Sequence, residues 1–466
     1  MVINTPAGEV RATLRAGVLD APGLRYGSAG FDPRWGEVTG TDEVVRQTRP
    51  AAFPQRPGVL DGLLGTALSE LEQLEDAFTL RVQGLPDAQG LPVLFFIPGG
   101  GFTTGSGESR WYDSPELVRT GQMVLVTVNY RLGVTGHFGP LGDPDESTKP
   151  IRDLQAALGW VRDNISAFGG DPARITLAGD SAGAWYAYVL SMDPTLRGLA
   201  AQTLLISMPR LAPLPVELWM RHRTAVLAAL GSKSALRKAP IPAILNAQEA
   251  ARAGLGPFPY RPAESKQTPA DLVQYANSVR RIHTKALLIV TTAEESAAFL
   301  RNQPPSNFSE AGVKAFLERT FADPALAAEM LEVEGDAYMR MVRAATLAQF
   351  RIPALEIAAH SPVPAQVVRF DHRSELAGAY SAHCFTLPFI FDGTERWRDS
   401  PMMVRTSEAE AAKVTKAMRG VISRFLHSGI AGAERYNVED PRTLTVGVIG
   451  TRHEQALEAV LEIRDE

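Results

Sequence analysis

The sequence predicts an α/β protein: a central, mostly parallel twisted sheet, helices on both faces, and helical insertions over one sheet edge. Three observations carry that expectation. Short runs such as Val93-Leu94-Phe95-Phe96-Ile97 are apolar without alternation, as strands buried on both faces must be. Segments of helical period lie between those runs, which is the order of a parallel sheet with crossover helices. A serine flanked by glycines, Gly179-Asp180-Ser181-Ala182-Gly183, stands where such a run meets a helical pattern.

The elements follow in order. The first 70 residues are rich in Gly, Pro and Asp and read as small strands and loops. A strand is expected at 78–82, a stronger one at 93–97, and a buried one at 123–130. From Asp153 to Phe168 the residues Leu154, Ala157, Leu158, Val161 and Ile165 recur at helical spacing. The apolar run Ile175-Thr176-Leu177-Ala178 enters the glycine-flanked serine, and further strands are expected at 203–206 and 286–290. Residues 210–285 and 310–360 read as helical cap or insertion regions within one catalytic domain spanning 1–466, placed where such sheets bind ligands.

Composition narrows the class. The chain has 466 residues, 45% hydrophobic and 21% charged, enough for a large core. Its formal net charge is −5 with no basic block, so no nucleic-acid partner is expected. One cysteine, Cys384, allows neither an internal disulfide nor a cysteine-rich metal site. No apolar run nears the roughly 20 residues of a membrane span, and the first residues lack a signal-peptide shape. A cytoplasmic protein is the expectation; the oligomeric state is not legible.

The serine motif has the layout of a nucleophile elbow. Small residues at 179 and 183 let strand and helix crowd together, exposing the hydroxyl above the positive end of a helix dipole. A serine nucleophile needs a base, an acid to orient it, and donors for an oxyanion. Gly99-Gly100-Gly101 follows a buried strand and can offer N–H groups without a Cβ in the way, and the Ala182 N–H would complete the hole. The run lacks the Gly-Lys-Ser/Thr or Gly-x-Gly-x-x-Gly of phosphate loops. Two adjacent carboxylates, Glu294 and Glu295, end a later strand. If the chain order is serine, acid, histidine, the base is one of His360, His372, His383, His427 and His453.

Taken together, these segments resemble the type B carboxylesterase family, which includes the cholinesterases and has the α/β-hydrolase fold. Gly23-Leu24-Arg25-Tyr26-Gly27 is similar to the family's Gly-Ile-Pro-Tyr-Ala, and residues 74–82 to its Ser-Glu-Asp-Cys-Leu-x-Leu-Asn-Val. Val128-Asn129-Tyr130-Arg131-Leu132-Gly133 and Asn164-Ile165-Ser166-Ala167-Phe168-Gly169-Gly170-Asp171-Pro172 are nearly verbatim. The resemblance implies Glu295 as the acid, aligned with the family's strand-end Asp/Glu-Glu-Gly, while Glu294 aligns with a variable neighbour; at a strand end one such carboxylate can enter the site while the next faces solvent. It implies His383 as the base, since His383-Cys384-Phe385-Thr386-Leu387-Pro388-Phe389 keeps the family's spacing from histidine to Leu-Pro-Phe.

Some positions depart from the family. Pro98 stands where an aromatic residue or histidine is common, and Thr386 where the family carries glutamate. Phe53 and Ala77 replace a cysteine pair, in keeping with a reducing compartment. Ser207 matches a serine near the family's site, with Met208 in place of the next glycine. Trp185 and Tyr186 are larger than usual and are expected mainly to pack the helix.

The expected activity is therefore hydrolysis of small or aryl carboxylic esters through an acyl-enzyme. Ser181 would be the nucleophile, His383 the base and Glu295 the acid; Gly100, Gly101 and Ala182 would form the oxyanion hole. Phe102, Asp180 and Trp185 are the expected substrate contacts, and no metal or organic cofactor is expected. The alternatives are a related acyl bond (carbamate, lactone or amide) and a non-catalytic, cholinesterase-like binding module. A reduced cover would leave a wide, shallow gorge, and Cys384 could make activity sensitive to thiol reagents.

Overall fold

A computed structural model of the chain describes residues 1–40, 47–231, 235–331, 335–391, 393–447, 450–453 and 463. Eleven strands form one sheet. In chain order they are β1 (Thr13–Arg15), β2 (Val18–Arg25), β3 (Thr79–Gly84), β4 (Leu91–Ile97), β5 (Val124–Val128), β6 (Gly170–Asp180), β7 (Ala200–Ile206), β8 (Leu287–Thr292), β9 (Ala365–Phe370), β10 (Arg442–Val446) and β11 (Gly450–His453). Across the sheet the order is β11-β10-β9-β8-β7-β6-β4-β5-β3-β2-β1. Pairing is parallel from β10 to β5 and antiparallel beyond them on both sides.

The unbroken apolar strands are explained by two cores, one on each face. Along β4, Val93, Phe95 and Ile97 pack with Leu154, Leu158 and Val161 of helix α1 (Lys149–Asn164) and with helix α2 (Ala182–Ser191). Their neighbours Leu94 and Phe96 point the other way. Helices α3 (Val216–Ala229), α4 (Ile241–Arg252), α5 (Glu310–Thr320), α6 (Pro324–Met330), α7 (Ala337–Thr346), α8 (Ile352–His360) and α9 (Glu408–Ser428) follow. The second face is closed by α9 through Val414, Met418, Val421 and Phe425.

Every strand expected between 78 and 290 is present, with ends moved by a few residues. Helix α1 begins at Lys149, earlier than its apolar period, because the turn Pro144–Thr148 is capped by Asp143 and Glu146 and Pro150 lies in the first turn. Strands β9 to β11 and helix α9 were not read from the sequence; β9 and β10 are interrupted by Arg369 and by alternating threonines.

Parts of 210–285 and 310–360 form apolar clusters of their own. Trp219, Val226 and Ile244 gather around Phe138, and Val313, Leu317 and Ala344 around Phe321. Other parts belong to the main core, among them Tyr275 and Val279, and Leu355 of α8. Among the described residues no helix is long and apolar enough to cross a membrane.

Parallel register brings the carboxyl ends of the central strands together. Gly179 pairs with Ile97 on one side and Leu205 on the other, and Asp180 with Ile206. The residues that follow these ends therefore collect on one edge.

Candidate active site

Ser181 directly follows β6 and caps α2 with φ 54° and ψ −123°. A non-glycine residue in that conformation costs about 1–3 kcal/mol, so surrounding contacts must hold it. Its N–H donates to Ile206 O at 2.9 Å. The two flanking glycines are dictated by contact: a Cβ on Gly179 would lie 2.3 Å from Gly183 C, and one on Gly183 2.0 Å from Ile97 O. Ala182 is the first residue of α2, so its N–H has no intrahelical acceptor and points out of the helix start.

The glycine loop lies beside this elbow because β4 pairs with β6. Gly100 has φ 128° and Gly101 φ 60°, conformations that glycine adopts without strain. A Cβ on Gly100 would lie 2.2 Å from Thr104 O. Thr103 and Thr104 fasten the turn by donating their N–H groups to Gly100 O, both at 3.1 Å.

The loop after β8 supplies the carboxylate. Glu295 is fully buried, and its Oε1 accepts from Thr292 N at 2.7 Å and from Ser207 Oγ at 2.6 Å. Its Oε2 accepts from His383 Nδ1 at 2.7 Å, while His383 N donates to Glu295 O at 3.1 Å. Nδ1 thus faces the carboxylate, and Nε2 is buried without a hydrogen-bond partner among the described residues. The imidazole lies between Phe299 and Phe350, ring centroids 5.2 and 5.1 Å away. Phe350 is presented by a π-helical segment, Leu347–Arg351, that joins α7 to α8.

Glu294 corrects an expectation. Rather than facing solvent, its side chain is 1% exposed. It accepts from Arg373 at 2.6 Å and from Ser381 N at 3.2 Å, with Arg343 3.8 Å away. Two cations make its burial tolerable.

A cavity of about 390 Å³ opens onto Ser181, Gly99, Gly100 and Gly101. Its walls include Trp111, Tyr112, Phe258, Phe299 and Trp397. Two expected substrate contacts are absent from those walls. Phe102 and Trp185 are buried and pack edge to face at 5.6 Å, and Trp185 Nε1 donates to Leu211 O. They fill the core behind the glycine loop, because the first turn of α2 presses against it. Asp180 does reach the cavity wall, although it is only 2% exposed. The wall residues Phe258 and Phe299 were missed by sequence reasoning. Phe258 comes from the irregular Gly256-Pro257-Phe258-Pro259 stretch, whose prolines were the only available signal.

A strained serine, a buried imidazole–carboxylate pair and a glycine loop follow the carboxyl ends of this sheet's strands, and the sheet has the α/β-hydrolase fold. Comparison with known proteins narrows the class. Residues 51–445 match the carboxylesterase family, and the chain belongs to it: it is a carboxylic-ester hydrolase. A probable N-octanoylanthranilate hydrolase of Rhodococcus erythropolis is 31% identical over 95% of this chain and 96% of its own. The phenmedipham hydrolase of Pseudarthrobacter oxydans is 29% identical over 96% and 95%, and the para-nitrobenzyl esterase of Bacillus subtilis (strain 168) 29% over 85% and 84%. A solved PNB esterase superposes with a TM-score of 0.81 at 26% identity, covering 98% of both chains.

Proposed function

We propose that the protein hydrolyses small or aryl carboxylic esters through an acyl-enzyme on Ser181. The observation that most supports this reading is the Glu295–His383 pair, which leaves Nε2 of a buried imidazole as the unpartnered atom. In this reading Nε2 takes the proton of Ser181 Oγ as the oxygen attacks the ester carbonyl. Glu295 holds the ring in the required tautomer and stabilises the imidazolium. Gly100, Gly101 and Ala182 donate N–H groups to the oxyanion, each worth about 3–4 kcal/mol in the transition state. His383 then protonates the leaving alcohol and activates water to release the acid.

The aromatic walls and the cavity of about 390 Å³ favour a flat or short substrate. The para-nitrobenzyl esterase among the relatives names a benzylic group, which is aromatic as well. Segments 210–285 and 310–360 act as the cover of the site, contributing Phe258 and Phe350 respectively. A cytoplasmic location is in keeping with a lone, buried thiol.

The test is hydrolysis of p-nitrophenyl esters from acetate to octanoate by the wild type and Ser181→Ala. The wild type should be fastest on the short esters, and the variant should lose about 10⁴-fold or more. An unaffected variant would remove Ser181 from the reaction. A faster rate on an aryl carbamate or anilide than on the matching ester would change the substrate class.

A further inference from the structure

We propose that Asp180 is a positioning residue: its carboxylate brackets the nucleophile elbow, the glycine loop and the histidine loop, and so sets where the oxyanion donors stand. The inference rests on the esterase reading above. It replaces the expectation that Asp180 touches substrate.

The carboxylate reaches two different loops. Oδ1 accepts from Gly99 N at 3.0 Å, directly before Gly100 and Gly101, which line the cavity. Oδ2 accepts from Cys384 Sγ at 3.5 Å, and Cys384 is the residue after His383. Asp180 itself precedes Ser181. One side chain therefore meets a neighbour of each of the three functional parts.

The fit at Gly99 leaves no slack. A Cβ there would lie 2.7 Å from Asp180 O, 2.7 Å from Asp180 Oδ2 and 3.0 Å from Ser181 Cβ. Loop and elbow are in backbone contact, so a displaced carboxylate would displace the loop. The histidine side is equally constrained, since Cys384 holds φ 68°.

The chemistry of the group suits a bracket. A buried carboxylate needs donors, and Gly99 N–H and Cys384 S–H supply them from two other loops. Burial lifts the Asp180 carboxyl to about 6, while the Gly99 N–H, His383 and the Cys384 thiol draw it down. Tyr112 and Tyr130 also face it, and both phenols are pushed up, chiefly by burial. Asp180 is thus ionised in neutral solution and accepts on both oxygens. Burial, with Asp180 and Glu295 nearby, pushes the Cys384 thiol well above its ordinary range. The thiol stays a protonated donor and does not compete with the serine as a nucleophile.

The experiment uses Asp180→Asn, which keeps size but removes one acceptor and the charge, assayed on p-nitrophenyl acetate. The expected result is a fall in kcat of about 30-fold with KM within about threefold, because the damage is to oxyanion stabilisation. An aryl trifluoromethyl ketone, whose adduct carries the oxyanion, should bind weaker by the same factor, and p-nitrobenzyl alcohol should bind as to wild type. Cys384→Ala should lower kcat about tenfold by orphaning Oδ2, and Cys384→Ser, which restores a donor, should recover most of that loss. If Asp180→Asn fails to fold, the Cys384 pair decides the matter. Unchanged kcat in Asp180→Asn, or KM rising in step with the whole loss, would overturn the bracket. Equal losses in Cys384→Ala and Cys384→Ser would also overturn it. Failure of the esterase reading itself would show differently, as a Ser181→Ala variant that keeps wild-type activity.

Discussion

Adjacent glutamates at 294 and 295 are both buried, yet their surroundings assign them opposite tasks. Glu295 meets Thr292 N–H, the Ser207 hydroxyl and the imidazole, an arrangement that suits the proposed role of orienting a histidine. Glu294 meets Arg373 and Arg343, an arrangement that ties loops together. Glu295→Gln should lower kcat about 10³–10⁴-fold with little change in the unfolding midpoint, since the wrong tautomer is held in an intact frame. Glu294→Gln should do the reverse, costing about 1–2 kcal/mol of stability, because Arg373 is half exposed and screened. Urea denaturation and p-nitrophenyl acetate kinetics on both variants give the comparison. If the two effects were interchanged, the acid would be Glu294.

The elbow shows how one element depends on another. Gly183 is dictated by the end of β4 rather than by its own helix, since its missing Cβ leaves room for Ile97 O. Gly183→Ala should therefore part α2 from β4, lowering the thermal midpoint and removing activity together; circular dichroism melts alongside ester assays would reveal it. Unchanged melting would mean the close approach is not needed for the fold. At the cavity wall, Phe258 sits 6.2 Å from Phe299 and has the strained φ of 48°. Phe258→Ala should shift the preferred p-nitrophenyl ester from acetate toward octanoate by enlarging the cavity. A fixed chain-length profile would place the acyl group elsewhere.

Across the whole molecule, the burial of a single carboxyl carries a pH signature. Glu108 lies 3% exposed beside β2 and β3, and its Oε1 accepts from Gly23 N at 2.9 Å. Burial lifts its carboxyl from 4.5 to about 7, against the pull of Arg81. A carboxyl raised in the folded state binds its proton more tightly there than in the unfolded chain. Its contribution is full below about 4.5 and is lost as pH rises through about 7, a change of about 3 kcal/mol. Glu108→Gln imitates the protonated group and should flatten that part of the urea-stability profile between pH 5 and 8. A profile with the same slope in both proteins would sink the assignment.

Much of this was legible before any coordinates. Strands β4 to β8 announced themselves because burial on both faces leaves mostly apolar residues in their central runs, and the elbow because its glycines have a local steric cause. Ser181, Glu295 and His383 could be proposed from the sequence because each sits in a long local motif. Three things could not be read: that Glu294 is buried, that Phe102 turns into the core, and that Asp180 joins Gly99 to Cys384. Asp180 and Cys384 lie 204 residues apart, and Phe258 and His383 come near Phe299 only through separate loops. By itself the sequence determined which strands are buried, where the chain must turn sharply, and which residue types stand ready for acyl transfer, since backbone sterics and apolar periodicity act between near neighbours. Only the tertiary structure decided who partners whom at the sheet edge. Those contacts depend on the order of strands across the sheet, and distance along the chain carries no record of it.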